Sequence, residues 1–132
     1  MEEIHVVGAA IIENNKILVA QRSEKMDNTC KWEFPGGKVE NCETHHEALK
    51  RELKEELGIK VIAGDHIATG YSVNNGNKIV LHVYKATITE GYPKAIEHKE
   101  LKWIDLPEMI NLDWAEADIP ACRKILENNG II

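Results

Sequence analysis

Glu52, Glu55 and Glu56 stand at i, i+3 and i+4 in the stretch Arg51-Glu52-Leu53-Lys54-Glu55-Glu56-Leu57. On a helix this spacing brings the three carboxylates onto one face, where each like-charged pair costs roughly 0.2–0.5 kcal/mol. Clustered carboxylate oxygens are also what a hard divalent cation requires, and Mg²⁺ prefers a few carboxylates together with substrate phosphates. Two readings stand side by side. One is a solvated helix face rich in a good helix former; the other is half of a site whose other half is a metal-bound polyphosphate.

The helix that must carry these groups is well signalled. Leu49, Leu53 and Leu57 recur every four residues and form an apolar stripe. Thr44 with Glu47 three residues later makes a capping box, and Gly58 suits the position just past the end, so a helix is predicted over 44–57. Arg51 lies off the acidic face, with Glu47 or Glu55 as candidate partners.

Around that helix the pattern is strand-rich. Strands are predicted over 4–13 and 16–22, joined at Asn14-Asn15, and over 59–73 and 78–89, joined at Asn74-Asn75-Gly76-Asn77. Ser23 to Lys31 reads as a loop and Pro35-Gly36-Gly37 as punctuation. A short strand follows at 101–104, and a last helix over about 119–129 has Asp118 as candidate N-cap and Gly130 as its stop. Strands with two main helices imply an α/β sandwich with a mixed sheet.

The 132 residues suit one domain, 1–132, with a single core. Glu2 and Glu3 stand where an export signal would want basic residues, and no apolar run approaches the ~20 residues of a membrane span. Cys30, Cys42 and Cys122 form no CxxC pair, which favours a reducing cytoplasm over a disulfide framework or zinc site. A formal net charge of −6 argues against a long nucleic acid held on a basic surface. It leaves room for a small phosphate ligand.

From Gly37 the chain runs GKVENCETHHEALKRELKEELGI. Gly37, five residues, Glu43, seven residues, then Arg51-Glu52-Leu53, Glu55-Glu56, Leu57, Gly58 and Ile59 meet every defined position of the Nudix pattern over 23 residues. The flanks Trp32-Glu33-Phe34-Pro35-Gly36, 97–103 and 117–120 resemble the MutT-like branch of that family. The resemblance implies a Nudix-type α/β/α sandwich with a mixed β-sheet. It implies Mg²⁺, with Mn²⁺ as a substitute, held by Glu52, Glu55, Glu56 and the Gly37 carbonyl. It implies that Arg51 holds a glutamate in place, Glu43 or Glu52, and that Glu97 ligates metal or serves as general base.

The implied activity is hydrolysis of a nucleoside triphosphate to monophosphate and pyrophosphate, with 8-oxo-dGTP or a cytidine triphosphate as substrate and nucleotide-pool sanitisation as purpose. The metal would neutralise the phosphates and lower the pKa of an attacking water, so no side-chain nucleophile is needed. Arg22 and Lys38 are candidate phosphate contacts, or solvent-facing cations. Phe34 either stacks on the base or belongs to the core. Asp118 is either a plain helix cap or a base contact; if ionised it only accepts hydrogen bonds and favours a donor edge. Among the histidines, His45 and His46 diverge, His82 faces solvent or a pocket wall, and His98 reads as a surface residue. A monomer or homodimer acting on a small nucleotide, without polynucleotide or membrane partner, is expected. The rivals are a Nudix hydrolase of a nucleotide sugar or dinucleotide, and a nucleotide-binding module without turnover.

Overall fold

The computed structural model describes residues 2–23, 30–96 and 98–132. Strands β1 (Glu3–Glu13) and β2 (Lys16–Gln21) form the first hairpin, and Asn14 and Asn15 between them both take positive φ, as its tight turn demands. Two very short strands follow, β3 (Trp32–Glu33) and β4 (Gly36–Lys38), and then helix α1 (His45–Leu57). A second, longer hairpin joins β5 (Lys60–Asn74) to β6 (Asn77–Glu90). Strand β7 (Glu100–Asp105), 3₁₀ turns at Leu106–Asn111 and Glu116–Asp118, and helix α2 (Ile119–Asn128) complete the described chain. Neither β3, β4 nor the 3₁₀ turns has a periodic signature long enough to read from sequence.

The sheet is mixed. β1 lies parallel to β6, with Glu3 opposite Lys78 and Ile11 opposite Ala86, whereas its contacts with β2 and β4 are antiparallel. β2 also pairs with β3 and β7. Alternation along β1 divides the core into two layers. Val7, Ala9 and Ile11 pack beneath Leu49, Leu53 and Leu57 of α1, while Ala10 faces Ala121, Cys122, Ile125 and Leu126 of α2. The α/β/α sandwich follows, with two cores where a single one was expected.

The caps of α1 form as read. The Glu47 backbone N–H donates to Thr44 Oγ1 at 3.1 Å, the Thr44 N–H donates to Glu47 Oε1 at 2.9 Å, and Gly58 closes the helix in the left-handed conformation. Asp118 occupies the N-cap position of α2 but makes no capping bond.

Five of the histidines, His5, His45, His46, His66 and His82, gather on the α1 side of the sheet around Tyr84. His5 Nδ1 lies 3.0 Å from His82 Nε2, and the Thr69 hydroxyl bridges His82 and His66 at 3.1 and 2.8 Å. His45 and His46, expected to diverge, both pack against Tyr84. Burial, then the neighbouring imidazoles His45, His5 and His66, holds the His82 pKa down to about 4; His45 is lowered for the same reasons.

An unfolded His82 takes up its proton near 6.5 and the folded one only near 4, so the unfolded chain binds more protons between those values. This group therefore weakens the fold as pH falls from 6.5 to 4. The carboxylate facing the cluster, Glu3 at 3.4 Å from His5, offsets only part of the charge. The slope of Tm against pH across that window should be visibly flatter in His82→Gln than in the parent protein; equal slopes would overturn this account.

Candidate functional site

Arg51 lies at the centre of the acidic end of α1. Its Nε and Nη2 donate to the two carboxylate oxygens of Glu43 at 2.7 and 2.9 Å. Nη1 donates to Glu52 Oε1 at 2.9 Å and Glu55 Oε2 at 3.2 Å, and Nη2 also reaches the Lys38 carbonyl at 2.9 Å. The Glu47 partnership suggested by helical spacing does not form, because the capping box has taken Glu47. The Arg51 bond holds the Glu43 carboxyl down to about 2, while Arg51 itself is pushed further up, chiefly by Glu43. Glu52 is raised, because burial there outweighs the attraction of Arg51.

Strand β4 reaches this end of α1 through a residue with no side chain. A Cβ on Gly37 would lie 2.3 Å from the Glu52 carboxylate, so a side chain here would push that carboxylate out of its place. Gly37, Lys38, Glu40, Glu52, Glu55 and Glu56 line a hollow of about 390 Å³. Its donors are hard oxygens, and its carboxylates outnumber its cations, which suits a divalent cation. Among the described residues no three ligating side chains already converge on one ion position. The salt bridges give the reason: Glu52 and Glu55 are turned toward Arg51.

Gly37, Lys38 and Glu56 also line a second cavity of about 440 Å³. Arg22, Glu33, Phe34, His98 and Asp118 line it as well, and Ser72, Asn74 and Asn77 of the β5–β6 hairpin border it. Asp118 is buried at 4% exposure, and its Oδ2 accepts from the Phe34 N–H at 2.8 Å. The segment before α2 is fastened to β3, with the Trp32 N–H donating to the Asp113 carbonyl and the Ala115 N–H to the Trp32 carbonyl, both at 2.9 Å. On the other side a Cβ at Gly70 would lie 1.9 Å from the Ala117 carbonyl, so β5 needs glycine there. These contacts, and not helix capping, explain Asp118. Burial, followed by the charge of Glu33, pushes its pKa well above the usual carboxylate range.

The structure thus brings Gly37, Glu52, Glu55, Glu56 and Arg51 together, and sets Arg22, Phe34, Lys38 and Asp118 around the adjoining cavity. Arg22 is paired with Glu33, and Lys38 borders both spaces. Phe34 is a core residue, packed on Trp114 at 5.0 Å between ring centres, and contributes its backbone N–H to Asp118. Glu97 lies outside the described residues. Sequence reasoning missed Glu33; a glutamate between two aromatics beside a Pro-Gly turn was the available signal. His98 is not a surface residue. Its side chain is 2% exposed and lies 2.6 Å from Glu33 Oε2.

Comparison with known proteins agrees with this geometry. The NUDIX domain family profile matches residues 4–125. The CTP pyrophosphohydrolase of Escherichia coli (strain K12) is 42% identical over 120 residues, which are 91% of this chain and 89% of that one. The putative 8-oxo-dGTP diphosphatase 2 of Mycobacterium tuberculosis (strain CDC 1551 / Oshkosh) is 38% identical over 116 residues, covering 86% of this chain and 81% of that one. The crystal structure of the MutT protein from Methanosarcina mazei Go1 superposes with a TM-score of 0.84 at 29% identity, over 96% of each chain.

Gly37→Ala tests the approach of β4 to α1. The added methyl should displace the Glu52 carboxylate and lower kcat/KM by about 100-fold or more, as small displacements of reacting groups do. Tm should move by only a few degrees, about 1 kcal/mol of stability. Retention of full activity would show that Glu52 need not lie where the structure has it.

Proposed function

This chain belongs to the Nudix family and is a hydrolase of phosphoric anhydride bonds, and from that premise we propose that it cleaves nucleoside triphosphates to the monophosphate and pyrophosphate with Mg²⁺. The observation that carries the reading is the shared border of the two cavities. Gly37, Lys38 and Glu56 belong to both, so a polyphosphate in the acidic hollow continues directly into a nucleoside-sized space.

Glu52, Glu55, Glu56 and the Gly37 carbonyl would hold the ion, with Mn²⁺ as a substitute. Once bound, it neutralises phosphate charge and makes a nucleophile of water at neutral pH. Arg51 holds Glu43, Glu52 and Glu55 in register and touches no substrate. Lys38 is the cation at the junction and would meet the phosphates. Glu97, as ligand or general base, rests on the family resemblance. Arg22, which pairs with Glu33, lines the larger cavity and would meet the phosphates from there.

In the larger cavity, burial favours the protonated form of Asp118. In that form the side chain would donate as well as accept, whereas ionised it favours a donor edge of the base. The two relatives above are named for CTP and 8-oxo-dGTP, and both remain substrates to test. No helix among the described residues is long and apolar enough to cross a membrane.

The test is pyrophosphate release with Mg²⁺ across the common triphosphates, 8-oxo-dGTP, 5-methyl-dCTP, ADP-ribose and a dinucleoside polyphosphate. Triphosphates should be cleaved with release of pyrophosphate, and a chelator should abolish turnover. Glu56→Gln should lower kcat by about 1000-fold or more while far-ultraviolet circular dichroism stays native, since it removes a ligand of the ion that neutralises the reacting phosphates. Turnover of the larger conjugates alone would keep the family and overturn the triphosphate reading. Nucleotide binding without turnover of any compound would favour a sensing module.

A further inference from the structure

The carboxylate of Glu33 is gripped at both oxygens. Arg22 Nη1 donates to Oε1 at 2.5 Å and His98 Nε2 donates to Oε2 at 2.6 Å. The three groups come from different places: the end of β2, strand β3 and the turn before β7. All three line the cavity that also holds Asp118. Strand β3 is only two residues long and pairs with β2, so its backbone restrains the long Glu33 side chain little. Left to itself, a glutamate of this kind samples several rotamers. A donor on each oxygen leaves it one orientation.

His98 is an expensive way to supply the second donor, which makes its presence informative. The imidazole is buried, and its Nδ1 has no partner among the described residues. A buried polar atom without a hydrogen bond disfavours the fold and calls for an explanation in what the rest of the side chain does. Here the other atom is the Nε2–H on Glu33. The turn is anchored beside it, with the Lys99 N–H donating to the Gln21 carbonyl at 3.0 Å.

We propose that His98 is a positioning residue for nucleoside selection, holding Glu33 in the orientation that, with Asp118, forms the acidic wall against which the base is read. This rests on the reading of that wall as the base end of the site. Binding through the wall is made in the ground state and the transition state alike, so its loss appears in KM more than in kcat. Removal of a hydrogen bond that orients a polar recognition group typically costs about tenfold or more in discrimination.

The experiment compares His98→Gln, His98→Asn and His98→Leu across the triphosphate panel with Mg²⁺. Glutamine carries an N–H near the place of Nε2, whereas the asparagine amide reaches only as far as Nδ1. The preference between the best and next-best bases should fall about tenfold in His98→Asn and His98→Leu, chiefly through KM, and survive largely in His98→Gln. His98→Asn, polar like His98→Gln, keeps the comparison decisive if the leucine variant fails to fold. In a double-mutant cycle His98→Asn should add little to Glu33→Ala. A uniform fall in kcat with base preference intact would mean that His98 acts on the phosphate end, and would overturn the proposal. Equal damage in His98→Gln and His98→Asn, or additive losses with Glu33→Ala, would overturn it too. If Glu33→Ala and Asp118→Asn leave base preference unchanged, the reading of the wall itself fails; if they alter it and His98→Asn does not, only the role of His98 fails.

Discussion

The guanidinium of Arg51 lies within 3.2 Å of carboxylates from Glu43, Glu52 and Glu55 and of the Lys38 carbonyl, and the acidic end of α1 is organised around it. Without a cation there, the carboxylates would repel one another and swing into solvent. A lysine could neutralise one of them, but its single ammonium cannot span donors to four acceptor groups in fixed planar directions. The same side chain ties three pieces of chain together: the loop carrying Glu43, the end of β4 and the helix. Arg51 therefore fixes where β4 meets α1, and with it the meeting of Gly37 and Glu52.

The sheet supplies the other end. Parallel pairing of β1 with β6 sets the β5–β6 hairpin beside the start of β1, on one flank of the larger cavity. β3 and the segment before α2 are fastened to each other through Trp32, which puts Asp118 next to Phe34. Both junctions use close backbone approach, at Gly37 and at Gly70, in place of side-chain packing. A rigid two-layered core then holds the ends apart, Leu53 and its neighbours on one side and Ile125 and Leu126 on the other.

Much of this was legible locally. Periodicity and the Thr44–Glu47 box located α1, and the asparagine turns located both hairpins, because those signals act between residues a few positions apart. What escaped notice depends on contacts made across the chain. Helical spacing offered Arg51 only Glu47 and Glu55; Glu43, which the family resemblance did name, lies in the loop before the helix, and Glu47 is taken by the cap. Asp118 stands in a sequence context that fits an N-cap, yet the Phe34 N–H from a distant strand claims its carboxylate. His98 looks like a surface histidine among lysines and glutamates until Glu33 is placed against it. β3 and β4 are too short for any period to register.

The two ends of the site solve opposite electrostatic problems within one acidic chain. At the acidic end of α1, Arg51 holds Glu43 far below its ordinary pKa while burial raises Glu52, and carboxylates still outnumber the cations there. In the larger cavity charge is suppressed instead. Glu33 is matched by Arg22 and His98, and burial drives Asp118 toward its neutral form. Had that cavity kept two unmatched carboxylates, it would repel the phosphates of any nucleotide lying between the ends. A net charge of −6 is compatible with a polyanionic ligand because the carboxylates that line the hollow would be neutralised by a metal.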